Sequence, residues 1–238
     1  MADDLIRATK KLSDSVNRLR FSAPTTHVYN PLAYAWESHE IYLRRFGLGK
    51  KKTIFLGMNP GPWGMAQVGV PFGEVSLVRD WMKIECSVKK PDKEHPKRPI
   101  EGFACKRSEV SGRRLWGFFR DRFGAPEKFF ADHFVLNYCP LVFMEESGRN
   151  RTPDKLPAEQ RRPLEGACDD FLKNALEILE PEHVVGVGGF AEQCLLRNSS
   201  GGTISRILHP SPASPAANRD WAGAAERALV RSGIWPKR

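Results

Sequence analysis

The chain has 238 residues, 41% of them hydrophobic, with 37 Lys and Arg against 28 Asp and Glu, a formal charge of +9. That is enough apolar material for one domain with its own core, and the positive excess favours a polyanionic partner over an acidic small molecule. The five cysteines (86, 105, 139, 168 and 194) contain no CxxC, which argues against a zinc ribbon or a four-cysteine iron-sulfur site with paired ligands and against a secreted disulfide scaffold.

The amino terminus, MADDLIRATKKLSDSVNRLR, is charged and amphipathic, and its pattern predicts a helix over 3–19. It has no apolar h-region, and no run approaches the ~20 apolar residues of a spanning helix, so an intracellular protein without membrane contact is expected. A second helix is predicted over 31–46, and the two form a helical extension over about 1–45 of a single domain spanning 1–238. Then come TIFLGM (53–58), HFVLNY (133–138), HVVGVG (183–188) and TISRILH (203–209), which read as buried parallel strands. Helical patterns over 76–86, 111–123, 158–179, 190–197 and 215–232 alternate with them, and the polar stretch 89–102 reads as a long loop. The fold class is α/β, a three-layer α/β/α sandwich around a four-stranded, mainly parallel sheet.

In such sheets ligands sit beyond the carboxyl ends of the strands, and each end here is chemically specific: MNPGP, LNYCP, GVGG and LHPSP. The first opens GMNPGPWGMAQVGVPFGE (57–74), a Gly- and Pro-rich stretch that reads as a rigid loop starting no helix. The third, VVGVGGFA (184–191), matches G-x-G-x-x-A but follows the third strand, and nothing acidic lies between Glu192 and Asp220. It reads as a tight strand-to-helix turn, not a dinucleotide site. The fourth places His209 at a strand end on a proline-stiffened loop, a favourable position for chemistry. Basic clusters at 50–52, 89–98, Arg113/Arg114, Arg149/Arg151 and Arg161/Arg162 have the look of a phosphate footprint, although any one of them alone is what a solvated surface presents.

Together GMNPGP with its trailing GVPFGEV, LNYCPL, SEVSGRRLWGFFRDRFG (108–124) and HPSPASPAANRDW (209–221) resemble the single-strand-selective monofunctional uracil-DNA glycosylases of the uracil-DNA glycosylase superfamily. The similarity runs from about Val28 to Trp235. It implies excision of uracil and 5-modified uracils such as 5-hydroxymethyluracil from single- and double-stranded DNA, by a monomer that needs no cofactor and no metal. It also implies a DNA-associated location, in cytoplasm and nucleoid or in a nucleus.

The resemblance assigns roles residue by residue. Asn59 orients the hydrolytic water and His209 hydrogen-bonds uracil O2 as charge develops there, with the backbone N–H of Met58 as a second donor. Phe72 stacks on the flipped base, Asn137 reads O4 and N3–H, and Met65 lines the pocket. Gly61 stands where members strict for uracil carry a tyrosine, so space is left beside C5. The segment Ser211, Ala213, Ser214, Pro215, Asn218 and Arg219 supplies the wedge into the base stack. Relatives commonly carry arginine where this chain has Ala213, so Asn218 or Arg219 is the substitute wedge. Two other outcomes stay open: a superfamily relative acting mainly on xanthine or hypoxanthine, and a silent single-strand binder. A dinucleotide-dependent oxidoreductase ranks last.

Overall fold

The computed structural model describes residues 1–237. In chain order the elements are α1 (Ala2–Asn17), β1 (His27–Tyr29), α2 (Pro31–Tyr34), α3 (Trp36–Phe46), β2 (Thr53–Gly57), α4 (Met65–Val68), α5 (Val110–Phe123), α6 (Pro126–Asp132), β3 (His133–Asn137), β4 (Val142–Met144), β5 (Asn150–Arg151), α7 (Ala158–Leu179), β6 (His183–Val187), α8 (Gly189–Asn198), β7 (Thr203–Ile207) and α9 (Pro215–Arg231). The main sheet has the order β3-β2-β6-β7 and every pairing in it is parallel. The four strand ends named above therefore lie along one edge.

β2 and β3 are buried throughout, which fits their continuous apolar sequence. β7 is the edge strand, and of its five residues only Ile207 is buried; the sequence expectation of four buried strands fails there. A second sheet, β1-β4-β5, is antiparallel and was not foreseen, because strands of two or three residues carry too little periodicity to read. The first helix is no appendage either. Leu5, Ile6, Leu12 and Val16 of α1 belong to the main core.

Three further expectations are corrected. The helix 31–46 breaks at Ala35, which leaves helical geometry (φ −108°, ψ 28°) with its carbonyl pressed against Gly69, so α2 and α3 are separate. The helix expected over 76–86 is a single π-helical turn, Leu77–Trp81. Lys83 adopts a positive φ of 55°, and Arg45 takes the carbonyls of Met82 and Lys83, so no further turn can propagate. Finally, the Gly-rich loop does contain one helical turn, α4, which ends at Gly69 in the left-handed region (φ 71°).

The cluster 50–52 lies at the opposite end of the sheet from these loops. Lys50 pairs with Glu180, Lys52 pairs with Asp132, and buried Lys51 donates to the Phe130 carbonyl. These cations are spent on the fold.

Candidate active site

A cleft of about 580 Å³ opens at the carboxyl ends of β2, β3 and β7. Met58, Asn59, Gly61, Met65, Phe72, Asn137 and His209 all line it, together with Ser211 to Ser214, so residues up to 156 positions apart in the chain meet in one place. Pro215, Asn218 and Arg219 do not line it.

The floor is built on Gly57, the last residue of β2. A Cβ there would lie 2.5 Å from Cε2 of Phe72 and closer still to Oδ1 of Asn137. Only glycine lets the ring and the amide approach the strand this closely. Phe72 itself holds a φ of +54°, a conformation that costs a non-glycine residue about 1–3 kcal/mol and is tolerated where its surroundings fix it. Trp116 fixes it by donating from Nε1 to the Pro71 carbonyl at 3.0 Å.

Asn137 is 8% exposed. Its Nδ2 donates only to the weak acceptor Sδ of Met65 at 3.3 Å, and its Oδ1 is buried with no partner. An unpaired buried acceptor costs about 1–3 kcal/mol, so the site carries an unmet demand for a donor. The strand end behind it is held by Tyr138, whose hydroxyl donates to Asp169 at 2.7 Å.

Asn59 lies two residues past the end of β2. Its Nδ2 donates to the Leu141 carbonyl at 3.0 Å, which leaves Oδ1 as the end free to accept from a water. His209 has its Nδ1 occupied as acceptor for the Ser211 N–H at 3.1 Å, so the proton of the neutral ring sits on Nε2. Burial holds the imidazole pKa below its usual value, which keeps the ring neutral at pH 7. The glycine turn after β6 lies beneath it: a Cβ on Gly188 would meet Cβ of His209 at 3.0 Å. The GVGG motif thus serves as support for the His209 loop.

One cleft residue escaped sequence reasoning. Glu109, at the N-terminus of α5, lies against the bare loop, with Oε2 2.6 Å from where a Cβ of Gly61 would stand and Cγ 2.8 Å from that of Gly64. Its own N–H and the Ser108 hydroxyl both donate to buried Glu74. Burial, reinforced by the Glu74 charge, pushes its pKa up. The signal in the sequence was SEV preceding a helix, but nothing local says that the carboxyl lies against residues 61 and 64.

The loop after His209 is braced rather than loose. Arg114 donates to the Pro210 carbonyl and to Asn218, Asn218 donates to the Pro212 carbonyl at 2.8 Å, and Trp221 donates to the Leu208 carbonyl at 2.6 Å. Ser214 caps α9. Asn218 is therefore committed to holding the loop, and exposed Ala213 is at its tip.

Comparisons with known proteins give the family and the fold. Residues 45–230 match the family model described as the uracil DNA glycosylase superfamily. A single-strand selective monofunctional uracil DNA glycosylase of Bos taurus is 48% identical, covering 99% of this chain and 88% of its own length; that of Rattus norvegicus is also 48% identical, covering 99% and 86%. In fold the chain is similar to the crystal structure of wild-type SMUG2 from Pedobacter heparinus, with a TM-score of 0.65 at 16% identity over 95% of this chain and 97% of that one. With the family model covering most of its length and relatives 48% identical over nearly the whole of it, the chain belongs to the uracil DNA glycosylase superfamily, in the family of the single-strand selective monofunctional uracil DNA glycosylases.

Proposed function

We propose that this protein is a DNA glycosylase that hydrolyses the N-glycosidic bond of uracil and of 5-modified uracils such as 5-hydroxymethyluracil in DNA, leaving the abasic strand intact. The observation that carries the proposal is the buried, unpartnered Oδ1 of Asn137 beside the strained Phe72 ring. A uracil lying on Phe72 would present N3–H to Oδ1 and O4 to Nδ2, which meets both demands of the amide. Cytosine would present an acceptor and a donor in the reverse order.

As the bond between C1′ and N1 breaks, its electron pair moves to the pyrimidine and negative charge grows on O2. Nε2–H of His209 stabilises that charge, as donors do in an oxyanion hole. The sugar becomes a cation that needs a positioned water more than a strong base, and Oδ1 of Asn59 orients one. The water delivers hydroxyl to C1′ and its proton ends on the departing base. A base reaches this depth only after leaving the stack, so the braced loop 211–214 is the element that enters the strand. A small tip residue, Ala213, suits single strands, where little stacking has to be replaced.

The test is excision from matched oligonucleotides bearing uracil, 5-hydroxymethyluracil, xanthine or hypoxanthine, single- and double-stranded, with products revealed by alkali. Preference for the pyrimidines, an intact strand before alkali, no adduct trapped by borohydride and no effect of EDTA are expected. A purine preference, or a trapped lysine adduct, would overturn it.

A further inference from the structure

We propose that Trp63, Arg98 and Arg107 form a phosphate clamp on the lip of the cleft, gripping the backbone of the DNA strand next to the extruded nucleotide. That the ligand is DNA rests on the glycosylase reading; that the site takes phosphate rests on its geometry. Trp63 lines the cleft, and the guanidinium carbons of Arg107 and Arg98 lie 4.6 Å and 5.2 Å from the centroid of its ring. Two like charges on one ring repel each other, and cation–π attraction at exposed sites offsets that only in part. An anion shared between them is what the arrangement lacks.

The protein does not provide that anion. Among the described residues neither guanidinium takes part in a salt bridge: Arg98 donates to the Lys97 carbonyl, and the Arg107 side chain donates to no protein acceptor. Arg44, Arg151 and Arg197, by contrast, are each tied to a carboxylate. Arg98 also keeps its Nε buried without an acceptor. A guanidinium held over an indole ring is partly pre-positioned, so less side-chain entropy is lost when a phosphate oxygen binds.

The surroundings point the same way. Gly148 packs under Lys97 and Arg98, 3.3 Å and 3.5 Å from where its Cβ would stand, and exposed Arg149 follows it before Asn150 and Thr152 return to the cleft wall. This part of the cleft rim is thus cationic, and the 211–214 loop lines the same cleft. The Glu109 carboxyl on the cleft wall repels phosphate, so the backbone is kept on the lip while only the uncharged base passes inside.

The experiment measures the affinity of a short fluorescent single strand containing one tetrahydrofuran abasic site, as a function of salt. Each phosphate contact on a single strand contributes about 0.7 to the slope of log K against log salt. Arg98→Gln/Arg107→Gln should flatten the slope by about 1.4 and Arg107→Gln alone by about 0.7. The charge-matched control Lys11→Gln/Lys173→Gln, on the exposed faces of α1 and α7, should leave it unchanged. Equal slopes for wild type and the double variant, or an equal change in the control, would overturn the clamp. A wild type that shows this slope difference but excises no uracil would sink the glycosylase reading and leave the clamp standing.

Discussion

A methyl group built on Gly61 would lie 2.6 Å from Oε2 of Glu109, so the carboxyl fills the space that the bare loop leaves. The resemblance alone suggested that glycine simply makes room for a 5-substituent. The structure adds that the room is shared with a side chain from another element, and that any larger residue at 61 must first displace it. Gly61→Ala should slow excision of 5-hydroxymethyluracil more than that of uracil, and Glu109→Ala should partly restore it. The measurement is a double-mutant cycle on single-turnover rates, with a coupling of about 0.5 kcal/mol or more expected for groups in contact. Additive effects would mean that the two positions act separately.

Glu109 also predicts a pH dependence of stability. Its pKa is raised by burial and by Glu74, so its contribution is fully present below the ordinary carboxylate value of the unfolded chain and is lost as pH rises through the folded value. Glu109→Gln removes that loss. The difference in melting temperature between variant and wild type should therefore move in favour of the variant as pH is raised from about 4 toward neutrality; a difference constant with pH would place the carboxyl in solvent.

Asn59→Ala and His209→Ala should each reduce single-turnover excision by about 10² or more, the size seen when one anion-stabilising donor or a positioned reactant is lost. Strand affinity measured with the abasic probe should change far less. A near-normal rate for either variant removes that residue from the chemistry.

His209 should also set an acid limb. With its pKa lowered below 6.5 by burial, the neutral ring is intact above that pH; as pH falls through the folded value, a proton on Nδ1 breaks the bond from the Ser211 N–H and the loop loses its brace. Both stability and excision should decline on that side. An imidazole proton resonance titrating above 6.5 would contradict the placement.

The sheet was legible because β2, β3 and β6 are continuous apolar runs, and their loops were legible because strand ends in parallel sheets carry function. What stayed hidden was non-local. The turn of Glu109 toward residues 61 and 64 depends on Glu74 taking the Glu109 N–H, 35 positions away. Asn218, read as a possible wedge, is held by Arg114 from α5, and a pattern within HPSPASPAANRDW cannot reveal a partner 104 residues upstream. The π-helical turn at 77–81 was masked by a sequence that satisfies helical periodicity, because Arg45 captures the carbonyls that would have continued it.

Base reading is the sharpest test, since it depends on donors and acceptors at one amide. Asn137 is fixed between Gly57, Phe72 and Met65, with Nδ2 toward Met65 and Oδ1 unpaired. Uracil offers O4 as acceptor beside N3–H as donor and satisfies both ends, whereas cytosine would leave polar groups unpaired at about 1–3 kcal/mol each. Asn137→Asp keeps the shape and removes both amide hydrogens. The carboxyl would accept from cytosine N4 and, protonated in so buried a place, donate to N3. The variant should lose uracil excision and gain weak cytosine excision, read as alkali-revealed cleavage at a single cytosine in an otherwise cytosine-free oligonucleotide. That gain should increase toward low pH, where the carboxyl carries its proton. If the variant still excises uracil at the wild-type rate, the amide does not read the base, and discrimination must come from the shape of the cleft alone.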